Sequence, residues 1–123
     1  MEKYILIIDD DSRNIFALSA VLKSKGFKCF SAPGMAEAFT VLKNNHEKIG
    51  IILLDMMMPE MDGYEAIPNI KAVDEYRRIP IVAVTAQAMT GDREKCLAAG
   101  ADDYISKPVN IDLLLELLKT SMQ

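Results

Sequence analysis

The chain has little of what imidazole- or thiolate-based chemistry relies on. Among its 123 residues there is one histidine, His46, and there are two cysteines, Cys29 and Cys96. A catalytic relay that needs an imidazole has only His46 to draw on. That residue sits in the polar stretch "KNNHEK", which predicts a surface loop. The cysteines lie far apart, lack metal-ligand spacing and have apolar neighbours. Two reduced core thiols are therefore expected, and with them a cytoplasmic location. No apolar run reaches about 18 residues and no apolar h-region opens the chain, so neither a membrane span nor an export signal is expected. A basic excess is also lacking: 14 Lys and Arg stand against 18 Asp and Glu, a formal net charge of −4. A surface dedicated to nucleic acid is normally basic, so direct nucleic-acid contact is not expected.

What is present is an alternation of short apolar runs and longer amphipathic segments over one domain's length. "YILII" (4–8), "FKCFSA" (27–32), "GIILL" (50–54), "IPIVAVT" (79–85) and "DYIS" (103–106) read as strands. The second is the least apolar, which places it nearer an edge. The third is continuously apolar, as a strand covered on both faces must be. Between and after them lie helical patterns. "SRNIFALSAVLKSKG" carries Ile15, Leu18, Ser19 and Leu22 at helical spacing and stops at Gly26. "MAEAFTVLKNN" follows, then "DGYEAIPNIKAVDEY". "TGDREKCLAAG" opens at Thr90 or Gly91 and closes at Gly100, and "NIDLLLELLKTSM" has Asn110 as its N-cap. Pro68 falls inside the third pattern. In an ideal helix interior it costs about 3 kcal/mol, so a kink or a restart is expected there.

Five strand–helix units in alternation predict an α/β fold, a doubly wound parallel sheet with helices on both faces. In such a sheet the loops at the carboxyl ends of the strands cluster, and ligands bind among them. Those ends carry polar groups here. Strand one runs into Asp9, Asp10 and Asp11; strand three into Asp55; strand four ends in Thr85; Lys107 follows strand five. Three adjacent carboxylates repel one another, and burial makes this worse. A helix N-terminus or a cation must compensate. Asp11 suits the first role, with Asp11 or Ser12 capping the first helix, but one cap does not need three acids. Carboxylates from two strands suit a hard cation such as Mg²⁺. A lysine and a threonine hydroxyl opposite suit a phosphoryl group. The nucleophile for such chemistry is a carboxylate, and Asp55, at the end of the most apolar strand, is the best placed.

"ILIIDDD", "IILLDMMMPEMDGYEAI", "IPIVAVTAQA" and "GADDYISKPVN", in this order and spacing, resemble the receiver domain of two-component response regulators over essentially the whole chain. The resemblance implies a single flavodoxin-like domain over residues 1–123, with strand order 2-1-3-4-5. It implies Asp55 as the phosphorylated residue, and Mg²⁺ held by Asp10 and Asp55, by Asp9 through water, and by the backbone carbonyl of Met57. Lys107 would pair with Asp55 and then contact the phosphoryl group. Thr85 would bind a phosphoryl oxygen, and Tyr104 would be the aromatic switch that turns inward as Thr85 moves. The Lys107–Pro108 bond would be cis. Asp11 matches a position that is usually acidic without being a main ligand.

A histidine kinase or histidine phosphotransfer protein would then be the donor, and an unidentified protein the downstream partner. The chain itself would be a switch that catalyses only its own phosphorylation and dephosphorylation. Two rival readings fit the residues less well. An aspartate-based phosphohydrolase generally carries a second acid two residues after its nucleophile, where this chain has Met57. A degenerate receiver that only binds partners would lack site residues, and none is missing. Met56 and Met58 are expected to fill the core and Met57 to face the site mouth. Met57 and Gln87, two residues after Asp55 and Thr85, would together set how easily water reaches an acyl phosphate. The stretch "DDDSRNIFALSAVL" resembles receivers attached to hybrid histidine kinases, whereas Met1 suits a stand-alone regulator.

Overall fold

A computed structural model describes residues 3–58, 63–85 and 92–121, with the side chains of residues 92 and 93 excepted. Five strands form one parallel sheet: β1 (Tyr4–Ile8), β2 (Lys28–Ala32), β3 (Ile49–Asp55), β4 (Ile81–Thr85) and β5 (Asp103–Ser106). Their order is β2-β1-β3-β4-β5, as the family resemblance implied. The register sets Ile8 beside Leu54, Leu54 beside Ala83 and Thr85 beside Ser106, so the carboxyl ends lie along one rim.

Residue alternation along the strands builds two cores. Ile5, Ile7, Ile51, Leu53, Val82 and Val84 face one side, where Leu22 of α1 (Ser12–Ser24) and Leu114 and Leu118 of α5 (Ile111–Ser121) meet them. Leu6, Ile8, Ile52, Leu54, Ile81 and Ala83 face the other. That side is covered by α2 (Met35–Asn45), α3 (Gly63–Lys71) and α4 (Asp92–Ala98), through Leu42, Ile67, Ile70 and Cys96. Strands with both faces buried read as unbroken apolar runs because neither face meets water. The edge strand β2 is the exception, with Lys28 and Ser31 exposed.

The helix ends follow the side chains that the sequence places there. Asp11 caps α1, its Oδ1 accepting the Arg13 N–H at 2.9 Å, and Asn110 caps α5 by accepting the Leu113 N–H at 3.1 Å. At the other ends, Gly26 and Gly100 adopt φ of 92° and 113°. The amides that follow them turn back onto Leu22 and Cys96, as a left-handed glycine terminator requires.

Two expectations need correction. The third helix runs through Pro68 without restarting, but it ends at Lys71 instead of continuing to Tyr76. Proline at its sixth position removes a single intrahelical bond. The Ala72 amide still reaches the Pro68 carbonyl at 2.8 Å, after which the chain passes into consecutive turns. Lys71 fixes those turns, donating to the carbonyls of Arg77 and Ile79 and to Asp102 Oδ2. His46, expected in a surface loop, is half-buried in a single 3₁₀ turn at the end of α2. Its Nδ1 lies 3.2 Å from the Leu42 carbonyl and its ring 5.7 Å from that of Tyr76. Neither cysteine forms a disulfide; Cys96 is buried and Cys29 half-buried.

Leu22 is the one fully buried side chain of α1. Leu22→Ala is expected to cost about 3 kcal/mol of unfolding free energy, measured by urea titration, because α1 has no second buried anchor to close the cavity.

Candidate functional site

β1 and β3 are adjacent and end level with each other, so the residues that leave them meet. One carboxylate oxygen each from Asp9, Asp10 and Asp55 lie within 4.8 Å of one another. Asp9 and Asp55 are buried, 7% and 4% exposed, whereas Asp10 is exposed. Each buried acid is fixed by a backbone amide two residues on. Asp11 N–H donates to Asp9 Oδ1 and Met57 N–H to Asp55 Oδ1, both at 2.9 Å.

Lys107 closes the arrangement from β5. Its backbone N–H donates to the Thr85 carbonyl at 2.7 Å, which extends the β4–β5 ladder past Ser106. Its ammonium lies 3.3 Å from Asp55 Oδ2 and 3.5 Å from Asp9 Oδ2. The Lys107–Pro108 bond is cis, as expected. Thr85 is buried at the end of β4, and Tyr104 is half-buried on β5, packed against the core that α2, α3 and α4 cover. Met56 and Met58 are 6% exposed in that same core, as expected of gap-filling side chains, while Met57 is 60% exposed. Gln87 lies outside the described residues.

One ammonium faces three carboxylates, so the charges do not balance. At an effective dielectric of about 20, two carboxylates some 5 Å apart repel by about 3 kcal/mol. Asp9 shows the consequence: burial pushes its carboxyl above the ordinary 3.8, and the Asp55 carboxylate adds to this, while the Asp11 amide and Lys107 oppose it. Hard oxygen donors converging on one point, with negative charge to spare, fit a small divalent cation.

One feature of the rim carried no motif in the sequence. A cavity of about 530 Å³ opens between α1 and α5 and reaches Asp9, Asp55 and Lys107. Leu18, Val21, Val109 and Ile111 supply much of its apolar wall.

Residues 5–119 match the family model described as the response regulator receiver domain. The chain belongs to this family. The polar-differentiation response regulator DivK of Brucella ovis is 32% identical over 120 residues, covering 98% of this chain and 96% of DivK. Among solved structures, the receiver domain of the sensor histidine kinase PA1611 of Pseudomonas aeruginosa PAO1 superposes with a TM-score of 0.80. It is 33% identical, covers 99% of this chain and 98% of its own, and was solved with a magnesium ion coordinated in the active site cleft. The receiver domain of Saccharomyces cerevisiae Ssk1, solved with the histidine phosphotransfer protein Ypd1, gives a TM-score of 0.86 at 25% identity. It covers 98% of this chain and 89% of its own. Receiver domains are signalling modules and not turnover enzymes. Among the described residues of this receiver, no helix is long and apolar enough to cross a membrane.

The raised Asp9 carboxyl has a stability consequence in metal-free protein. A carboxyl with a folded value above its unfolded one favours folding when protonated, and that contribution is lost as pH rises through the raised value. With chelator present, Asp9→Asn is therefore expected to unfold at a higher temperature than wild type at pH 7. The difference should shrink as pH falls toward 3.8, read by thermal melts across that range.

Proposed function

We propose that this receiver takes a phosphoryl group onto Asp55 from a histidine kinase or a histidine phosphotransfer protein. It would then change conformation to control a protein partner, on the cytoplasmic side and without touching nucleic acid or membrane itself. The observation that carries the reading is the fixed environment of one carboxylate. Asp55 is almost wholly buried, its Oδ1 is held by the Met57 amide, and its Oδ2 faces the Lys107 ammonium.

In the transfer, an Asp55 oxygen attacks phosphorus as the P–N bond of a phosphohistidine breaks, and the imidazole leaves with the bonding pair. Little covalent work falls to the protein in such a step; positioning and charge neutralisation dominate. The Met57 N–H fixes the carboxylate plane. Lys107, midway between Asp9 and Asp55 beforehand, swings only slightly to meet an incoming phosphoryl oxygen. Thr85, at the adjacent strand end, offers its hydroxyl to another. Movement of Thr85 toward the phosphoryl group would open the space that Tyr104, two strand positions before Ser106, turns into. Asp9, Asp10, Asp55 and the Met57 carbonyl would hold Mg²⁺. When bound, it offsets the charge of the acids and of the phosphoryl group they receive. A phosphohydrolase reading gains nothing, since the position two past Asp55 is the thioether of Met57.

Incubation with a small acyl-phosphate donor, followed by intact mass, tests the reading. One phosphoryl group is expected, needing Mg²⁺ and abolished in Asp55→Ala. Lys107→Ala should slow the gain by about a hundredfold, the usual cost of removing one preorganised charge-stabilising donor. No gain in folded protein with any donor, including a phosphorylated phosphotransfer protein, would favour a receiver that only binds partners.

Met57 and Gln87 would set the lifetime of the acyl phosphate. An exposed thioether offers an attacking water almost no hydrogen bond. Met57→Asn supplies one, and is expected to hasten loss of the phosphoryl group about tenfold; Gln87→Ala, which removes a polar group, should slow it. Equal lifetimes in wild type and both variants would end this idea.

A further inference from the structure

We propose that Met57 is a site of oxidation by peroxide, and that its sulfoxide shortens the life of the phosphorylated state. The proposal rests on the phosphorylation reading of Asp55 given above.

Three methionines in a row meet three different surroundings. Met56 and Met58 are shielded by the core, whereas 60% of Met57 is open to solvent. Met56 is packed so closely against α3 that a Cβ added at Gly63 would lie 2.6 Å from its sulfur. A dissolved oxidant therefore reaches one of these three sulfurs freely. That sulfur belongs to the residue whose amide is hydrogen-bonded to the phosphoacceptor, two positions along the chain.

The chemistry needs no further component than hydrogen peroxide. A thioether lone pair attacks one peroxide oxygen and the O–O bond breaks. The sulfur is oxidised by two electrons and gains that oxygen; the other oxygen leaves as water. The product is a methionine sulfoxide, which sulfoxide reductases return to the thioether. The change is large in kind: a weak acceptor becomes a strong one. On an exposed residue whose amide is bonded to Asp55, itself only 4% exposed, an acceptor of this strength orders a water molecule beside the acyl phosphate that the thioether would not hold. Oxidative conditions would thus reset the switch without any change in kinase activity.

The test treats the full chain with hydrogen peroxide, maps the added oxygen by peptide mass, and follows loss of the phosphoryl group by intact mass. Wild type and Met57→Leu are each compared with their own untreated form. The expected result is oxygen on Met57 before Met56 or Met58. The phosphoryl group should be lost several-fold faster from treated wild type, and a sulfoxide reductase should restore the lifetime. Treatment should not change the lifetime of Met57→Leu. Oxygen appearing first on Met56 or Met58 overturns the proposal. So does a Met57 sulfoxide with an unchanged lifetime, or an equal response in Met57→Leu. If untreated wild type takes no phosphoryl group at all, the phosphorylation reading fails and the lifetime effect with it; the oxygen map still decides whether Met57 is the accessible sulfur.

Discussion

Three carboxylates held with one oxygen each within 4.8 Å of one another, two of them out of water, are the strain around which this molecule is arranged. An isolated group of this kind would protonate or move apart. Here moving apart is opposed, and the tendency to protonate shows in the raised Asp9 carboxyl. Asp9 directly follows β1 and Asp55 ends β3, strands whose residues Ile5–Ile8 and Ile51–Leu54 are paired one to one, and each of these two carboxylates is pinned by an amide two residues later. The sheet supplies the force that keeps like charges together, and Lys107 supplies part of the opposite charge. The remaining imbalance of charge is what a small divalent cation would offset.

The topology is what makes such an arrangement possible. β1 and β3 are neighbours although α1, β2 and α2 separate them in the chain, and the β2-β1-β3-β4-β5 order brings Asp55 between the acids of β1 and the threonine of β4. Lys107 must reach across β4 to touch Asp55, and a long unbranched ammonium does this where a short polar side chain would not. Its backbone is meanwhile locked to the Thr85 carbonyl at 2.7 Å. The group that neutralises the acceptor and the residue expected to sense phosphorylation are therefore joined by one backbone hydrogen bond.

Much of this was legible beforehand because strands buried on both faces leave continuous apolar runs, and because polar residues at several strand ends form an ordered set. Asp9, Asp10, Asp55 and Lys107 were named on those grounds, and the structure brings them together. The strand order came from the family resemblance; alternation alone fixes parallel strands and leaves their order open. What escaped depends on tertiary packing. Nothing in "KNNHEK" shows that His46 folds back on Leu42 and Tyr76. Periodicity past Pro68 continued to Tyr76, yet the contacts of Lys71 with Arg77, Ile79 and Asp102 favour turns there, an outcome decided by a residue 31 positions away. The cavity between α1 and α5 is a gap between elements, and a gap has no residue pattern of its own.

The question of what compensates three consecutive aspartates has an answer with two parts. Asp11 turns away to cap α1, pairing with Arg13, whose side chain and amide lower its carboxyl below the ordinary value. Its own N–H, at the positive end of the helix, points at Asp9. The helix therefore offsets one charge directly and a second in part. It cannot reach Asp55, which lies on another strand and is bound to the Met57 amide. α1 is held to the sheet by one fully buried side chain, Leu22, with Ile15 of its first turn and Leu18 packed partly buried against the same core. The helix that neutralises the first acids also forms one wall of the cavity that opens onto Asp55. Any charge added at Asp55 would be felt first by the ammonium that bridges it to Asp9, and the backbone of that same lysine is bonded to β4.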